Sequence, residues 1–158
     1  MSTPIPAVKI VAEEEGQHYE VLGSPLSVKL CGHDTQGSLA LMEYALLPGE
    51  GMPPRIHAEE DVTLYVVNGD LELQIAEKSV SVTTGAVVYL PRNTVHSFQA
   101  ANNRPCRLLL IITPAGLELC FREYQRLVDP CQDRWEQFVS LGAEYGLRFL
   151  TSKQGEHK

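Results

Sequence analysis

The sequence predicts a mainly β protein, a sandwich or barrel over about residues 7–113, followed by two helices over about 115–145. Short strand-like runs recur through the first part of the chain with turn residues between them. Val67-Asn68-Gly69-Asp70-Leu71 reads as a tight hairpin, because Asn-Gly supplies the positive φ angles of a type I′ turn. After Pro114 the apolar period changes from two to the helical spacing.

Taken in order, the predicted strands are 7–12 (AVKIVA), 26–31 (LSVKLC), 38–47 (SLALMEYALL), 62–67 (VTLYVV), 70–76 (DLELQIA), 78–83 (KSVSVT), 86–90 (AVVYL), 95–100 (VHSFQA) and 107–113 (RLLLIIT). Gly37, the Pro48–Gly51 turn, Gly85 and Pro91-Arg92-Asn93 punctuate them. Leu71, Leu73 and Ile75 alternate with Glu72 and Gln74, giving one buried and one wet face. Leu117, Cys120, Phe121 and Tyr124 recur at helical spacing, Asp129-Pro130 breaks the pattern, and Trp135, Phe138 and Val139 begin a second amphipathic helix that ends near Gly146. Arg148-Phe149-Leu150 reads as a last short strand, and SKQGEHK as a frayed tail.

The 158 residues correspond to one domain, 1–158. Thirteen Lys+Arg against twenty Asp+Glu give a net charge of −7, which repels phosphate backbones and anionic headgroups. Nucleic acid and membrane surfaces are therefore excluded as expected partners. No apolar run reaches the ~18 residues of a membrane helix, and MSTPIPAVKIVAEEEG lacks a signal peptide's apolar stretch, so a cytoplasmic protein is expected. Cys31, Cys106, Cys120 and Cys131 show no C-x-x-C spacing and are read as free thiols.

The chemistry concentrates between Gly49 and Asn102. Arg55 and His57 are two apart and share a face where 54–57 is extended; an antiparallel barrel can bring His96 opposite them. Gly49 is followed by five residues, Arg55-Ile56-His57, four residues, Val62, six residues and Gly69. Further on, Gly85 is followed by AVVYL, Pro91-Arg92-Asn93, two residues and His96. These spacings, and the texts MPPRIHAEEDVTLYVVNGDLEL and GAVVYLPRNTVHSF, resemble the two motifs of the cupin superfamily, in particular its small quercetin-dioxygenase-like members. The resemblance implies a cupin-type β-barrel (jelly roll) with a two-helix C-terminal extension. It also points, as do the N-terminal strands expected at a sheet edge, to a homodimer.

A metal-bearing cupin holds Fe, Mn, Ni or Zn with three His and one Glu. Here the first His position is Arg55 and the Glu position is Val62, so only His57 and His96 remain as ligands if any ion is held. Arginine offers no lone pair and valine no donor, and no metal cofactor is expected. The resemblance places Arg55 in a barrel lined by Leu64, Val66, Leu73 and Phe98, with Tyr89 or Tyr65 as a candidate phenol. A charge there needs a partner: a carboxylate such as Glu43, or an anionic ligand. Glu59, Glu60 and Asp61 read as a solvated turn, His33 as a loop residue, and His18 and His157 carry no motif. The expected function is binding of a small hydrophobic or aromatic, anionic or enolisable ligand, with Arg55, His57 and His96 as catalytic groups in metal-independent isomerase- or cyclase-type chemistry. The alternatives are a metal-dependent dioxygenase and a non-catalytic binding module.

Overall fold

The computed structural model describes residues 7–126 and 133–150. The strands are β1 (Gln17–Val21), β2 (Ser24–Leu30), β3 (Ala40–Leu46), β4 (Gly51–His57), β5 (Asp61–Asn68), β6 (Asp70–Ile75), β7 (Lys78–Thr83), β8 (Val87–Leu90), β9 (His96–Ala100), β10 (Cys106–Thr113) and β11 (Leu147–Phe149). The helices are α1 (Gly32–Thr35), α2 (Leu117–Arg126) and α3 (Arg134–Glu144). Two antiparallel sheets face each other, ordered β1-β2-β3-β10-β5-β8 and β11-β4-β9-β6-β7. This is the expected jelly-roll architecture: alternate side chains of each sheet turn inward, so Leu26, Met42, Leu64, Leu71, Leu73, Leu108 and Ile112 are buried between them. Tyr44 lies among them, its phenol donating to the Val21 carbonyl at 2.6 Å and so meeting the need of a buried hydroxyl for a partner.

The N-terminal expectation is corrected. Residues 7–12 form no strand, and Val8 and Ile10 stand 92% and 86% exposed. Their β-favouring side chains find no neighbouring strand to bond with, and the first paired strand is β1, whose residues carry a weaker apolar pattern. Strand β4 was masked in the sequence by Pro53 and Pro54. A bulge between Met52 and Arg55 in the pairing with β9 accommodates both prolines, which have no N–H to give the ladder. Gly51 is required by proximity, since a Cβ there would collide with the Phe98 carbonyl. The tight hairpin expected at Val67–Leu71 does not form: β5 and β6 lie in different sheets, and Asn68-Gly69-Asp70 carries the chain from one to the other, with Gly69 at φ 110° and Asn68 outside the positive-φ region that a type I′ turn requires.

Helices α2 and α3 pack as predicted against the sheets. Phe138 meets Tyr124 at 4.9 Å and Phe149 at 5.5 Å between ring centroids, and Trp135 meets Phe149 at 4.9 Å. This aromatic cluster fastens β11 beside β4. Asp133 caps α3 by accepting from the Trp135 N–H. Cys31, Cys106 and Cys120 are free thiols, the last two buried. Cys131, the Asp129-Pro130 break and the SKQGEHK tail with His157 lie outside the described residues. Among the described residues no helix is long and apolar enough to cross a membrane.

Candidate functional site

The bulge in β4 resets the strand's alternation so that Arg55 and His57 both turn inward, 3% and 5% exposed. Register completes the group, for Arg55 lies opposite His96 of β9, itself 2% exposed. The three side chains singled out from the sequence therefore converge. The His57 and His96 rings stack with centroids 5.4 Å apart and planes at 16°. The Arg55 guanidinium lies 4.9 Å from the centroid of the Phe98 ring.

Arg55 has almost nothing to answer its charge. Its Nη1 donates to the Pro53 carbonyl at 3.2 Å, while Nε is buried without a partner. Among the described residues no carboxylate forms an ion pair with it. Glu43 pairs on the outside with Arg107 at 2.7 Å and with Lys29 at 3.7 Å. Of the two partners open to Arg55 in the sequence, the carboxylate at Glu43 is thereby ruled out. Burial pushes Arg55 down to about 9, but a guanidinium stays charged near neutrality, so the desolvation appears as lost stability.

The histidines behave unlike free imidazoles. Burial first, then the Arg55 charge, then His96, pushes His57 down to about 2. His96 falls to about 3 through burial and Arg55, although its hydrogen bond to the Thr94 carbonyl opposes the shift. Both rings are neutral at pH 7. That carbonyl can only accept, so Nδ1 of His96 carries the proton at 2.9 Å and Nε2 is a bare, buried acceptor. Neither ring nitrogen of His57 has a hydrogen-bond partner.

One residue was misread in the sequence. Glu60 belongs to an acidic triplet that reads as a wet turn, yet it is 4% exposed, with Oε1 at 3.8 Å from Nδ1 of His57. Burial, followed by the neighbouring Glu59, pushes it up to about 7, with Arg92 opposing. The turn folds inward because α2 covers it, a tertiary effect that no local pattern announces. The remaining lining residues divide. Phe98 borders the cavity at Arg55, as do Met52, His57, Val62 and Leu117. Leu64, Val66 and Leu73 are fully buried in the core but do not line that cavity. Tyr89 and Tyr65 face outward, 60% and 39% exposed, and neither supplies a phenol inside. His33 is exposed on α1, and His18 bonds to Ser27 and Glu14.

The inner cavity is about 20 Å³, room for one water. A cleft of about 930 Å³ lies outside the smaller sheet, lined by Gln74, Ser97, Gln99 and Trp135, and Met52 and Phe98 border both spaces.

The Cupin domain family model matches residues 42–112, which contain Arg55, His57, Val62 and His96. The chain carries a cupin domain. Solved cupin-fold structures agree. KdgF from Halomonas superposes with a TM-score of 0.64 at 17% identity, over 72% of this chain and 99% of that one. A predicted oxalate decarboxylase from Thermotoga maritima gives 0.63 at 17%, over 67% and 99%. Streptomyces PAC13, solved with uridine, gives 0.59 at 18%, over 72% and 87%. At these identities the likeness is one of fold, and it does not single out the quercetin-dioxygenase-like group. No curated protein matches the chain in sequence.

Cupins commonly hold a transition metal, and the residues at this site do not fit one. Val62 occupies the carboxylate position and faces the cavity without a donor. Arg55 puts a fixed positive charge where an ion would sit. Among the described residues no three His, Cys, Asp or Glu side chains are grouped to hold a metal.

Proposed function

We propose that this cupin binds a small hydrophobic or aromatic molecule that is anionic or enolisable, and rearranges it without a metal, in isomerase- or cyclase-type chemistry. The observation that carries the reading is Arg55, a buried guanidinium with no carboxylate paired to it among the described residues, in a cavity walled by Met52, Val62 and Phe98. A carboxylate, phenolate or enolate would supply the missing charge, and in a dry site that interaction is far stronger than in water. The neutral rings of His57 and His96 offer unpartnered nitrogens beside it, where a proton can be taken as the anion forms. Ligand entry moves Met52 and Phe98, which separate the inner cavity from the outer cleft. PAC13, described as a nucleoside dehydratase, is an instance of this fold acting on a small molecule.

The test joins metal content to ligand binding. The purified protein is expected to hold no stoichiometric iron, manganese, nickel or zinc, and Arg55→His with Val62→Glu is expected to gain one. A panel of small aromatic carboxylates and phenolates, read by thermal shift, should include binders of the unmodified protein that Arg55→Ala no longer recognises. Stoichiometric metal lost on His57→Ala would overturn the reading.

Self-association belongs to the same proposal. Val8 and Ile10 are exposed apolar residues ahead of β1, and Val87 and Tyr89 are exposed on β8 at the opposite edge of that sheet. Light scattering at high micromolar concentration should give the mass of a dimer; a monomer there would refute it.

A further inference from the structure

The carboxylate of Glu60 has no role in the site as described so far. It lies on the short connection between β4 and β5, buried, with Oε1 unpartnered. The polar group it approaches is Nδ1 of His57, also unpartnered, at 3.8 Å. His57 thus stands between two spaces, lining the cavity with Arg55 and presenting Nδ1 to Glu60. The charged and titratable groups around the pair are few. Arg55 and His96 face His57; Glu59 from the same turn, Arg92 from the β8–β9 turn, and Glu118 and Cys120 of α2 face Glu60.

Proton abstraction by His57 alone has a physical obstacle. It would create an imidazolium beside the Arg55 guanidinium in a buried site of low dielectric, where two like charges repel strongly. Glu60 removes it. We infer that Glu60 is the proton store behind His57, passing charge through the ring so that the imidazole never becomes a cation. The ligand's C–H or O–H bond breaks, Nε2–H forms, Nδ1–H breaks, and an O–H forms on the Glu60 carboxylate. The electron pair stays on the ligand as an enolate or alkoxide facing Arg55. His57 ends neutral in its other tautomer, and the return step reverses each move. The 3.8 Å separation is too long for a hydrogen bond and shortens by a small side-chain rotation as charge develops, as such contacts do on ligand binding. Glu60 is a positioning and relay residue, since it touches His57 and not the cavity. The inference rests on the reading of Arg55, His57 and His96 as the ligand site.

The experiment needs no ligand. The full-length protein, labelled with ¹⁵N in histidine, is titrated from pH 5 to 9 and the ring nitrogens are followed by NMR. His57 should stay within the range of neutral imidazole yet show one inflection near pH 7, where Glu60 titrates, and E60Q should abolish it. Unchanged His96 resonances report that the variant is folded. If E60Q does not fold, the unmodified protein still decides, because absence of the inflection there overturns the inference. Persistence of the inflection in folded E60Q overturns it equally. Failure of the ligand reading would appear instead as absent anion binding with the His57 inflection intact.

Discussion

Arg55→Met is expected to make the protein more stable while removing its affinity for anions. Methionine follows the arginine stem and is flexible enough to fill space beside Met52, Phe98 and Leu117. The substitution forfeits one hydrogen bond to the Pro53 carbonyl, worth about 1 kcal/mol, and the contact with the Phe98 ring, worth about 0.5–2 kcal/mol. Against this stands desolvation of an unpaired ion, which costs several kcal/mol even after the surroundings relax. The second quantity is larger, so urea denaturation should show a gain of roughly 1–3 kcal/mol. Arg55→Lys retains the charge and should give no gain. Loss of stability in Arg55→Met would mean that the guanidinium is a structural brace and would withdraw the main support for a ligand site.

Acid is the second lever, and three buried groups set its direction. The unfolded chain protonates His57 and His96 as pH falls through 6.5, whereas the native protein refuses those protons until about 3 for His96 and about 2 for His57. Each histidine therefore withdraws stability as pH falls below 6.5. Glu60 acts oppositely. Its native value of about 7 against 4.5 unfolded means that the native state holds the extra proton between those limits, so its contribution is full below 4.5 and lost as pH rises to 7. From pH 6 to 5 the unfolded state binds two protons to the native state's one, and stability should fall by about 1.4 kcal/mol per pH unit. Removing Glu60's opposing effect in E60Q should roughly double that slope to about 2.7 kcal/mol per unit. His96→Asn, which leaves one histidine against one glutamate, should flatten it. Asp34, Asp61 and Asp70, held below the ordinary carboxylate range by their hydrogen bonds, add their losses at lower pH. Urea midpoints at closely spaced pH values measure these slopes, and identical slopes in the three proteins would show that these groups are not buried as described.

The core of the site was legible because glycine, proline and histidine spacings are local. Gly49, Gly85, Pro91 and the two histidines fix a framework that delivered Arg55, His57 and His96 to one place. Alternation likewise placed most of the strands. What escaped depended on contacts distant in sequence. β4 is interrupted by two prolines that only its bulged pairing with β9 explains. Glu60 reads as surface until α2 covers it. Tyr89 has the composition of a lining residue, but its strand lies at the sheet edge and turns that ring outward. Residues 7–12 have strand propensity and no strand to join.

The pairing of β11 with β4 has a consequence for synthesis of the chain. Leu147, Arg148 and Phe149 bond opposite His57, Ile56 and Arg55, so the last strand seals the flank of the one that bears the site. A nascent chain that has released the whole region matched by the family model, as far as Ile112, still carries β4 as an open edge. Arg55 and His57 are finally shielded only after α3 has emerged and laid β11 down. A ribosome stalled in the helical segment would therefore hold a barrel complete in its other strands but adhesive along the margin of the candidate site, the place where a chaperone would have reason to wait.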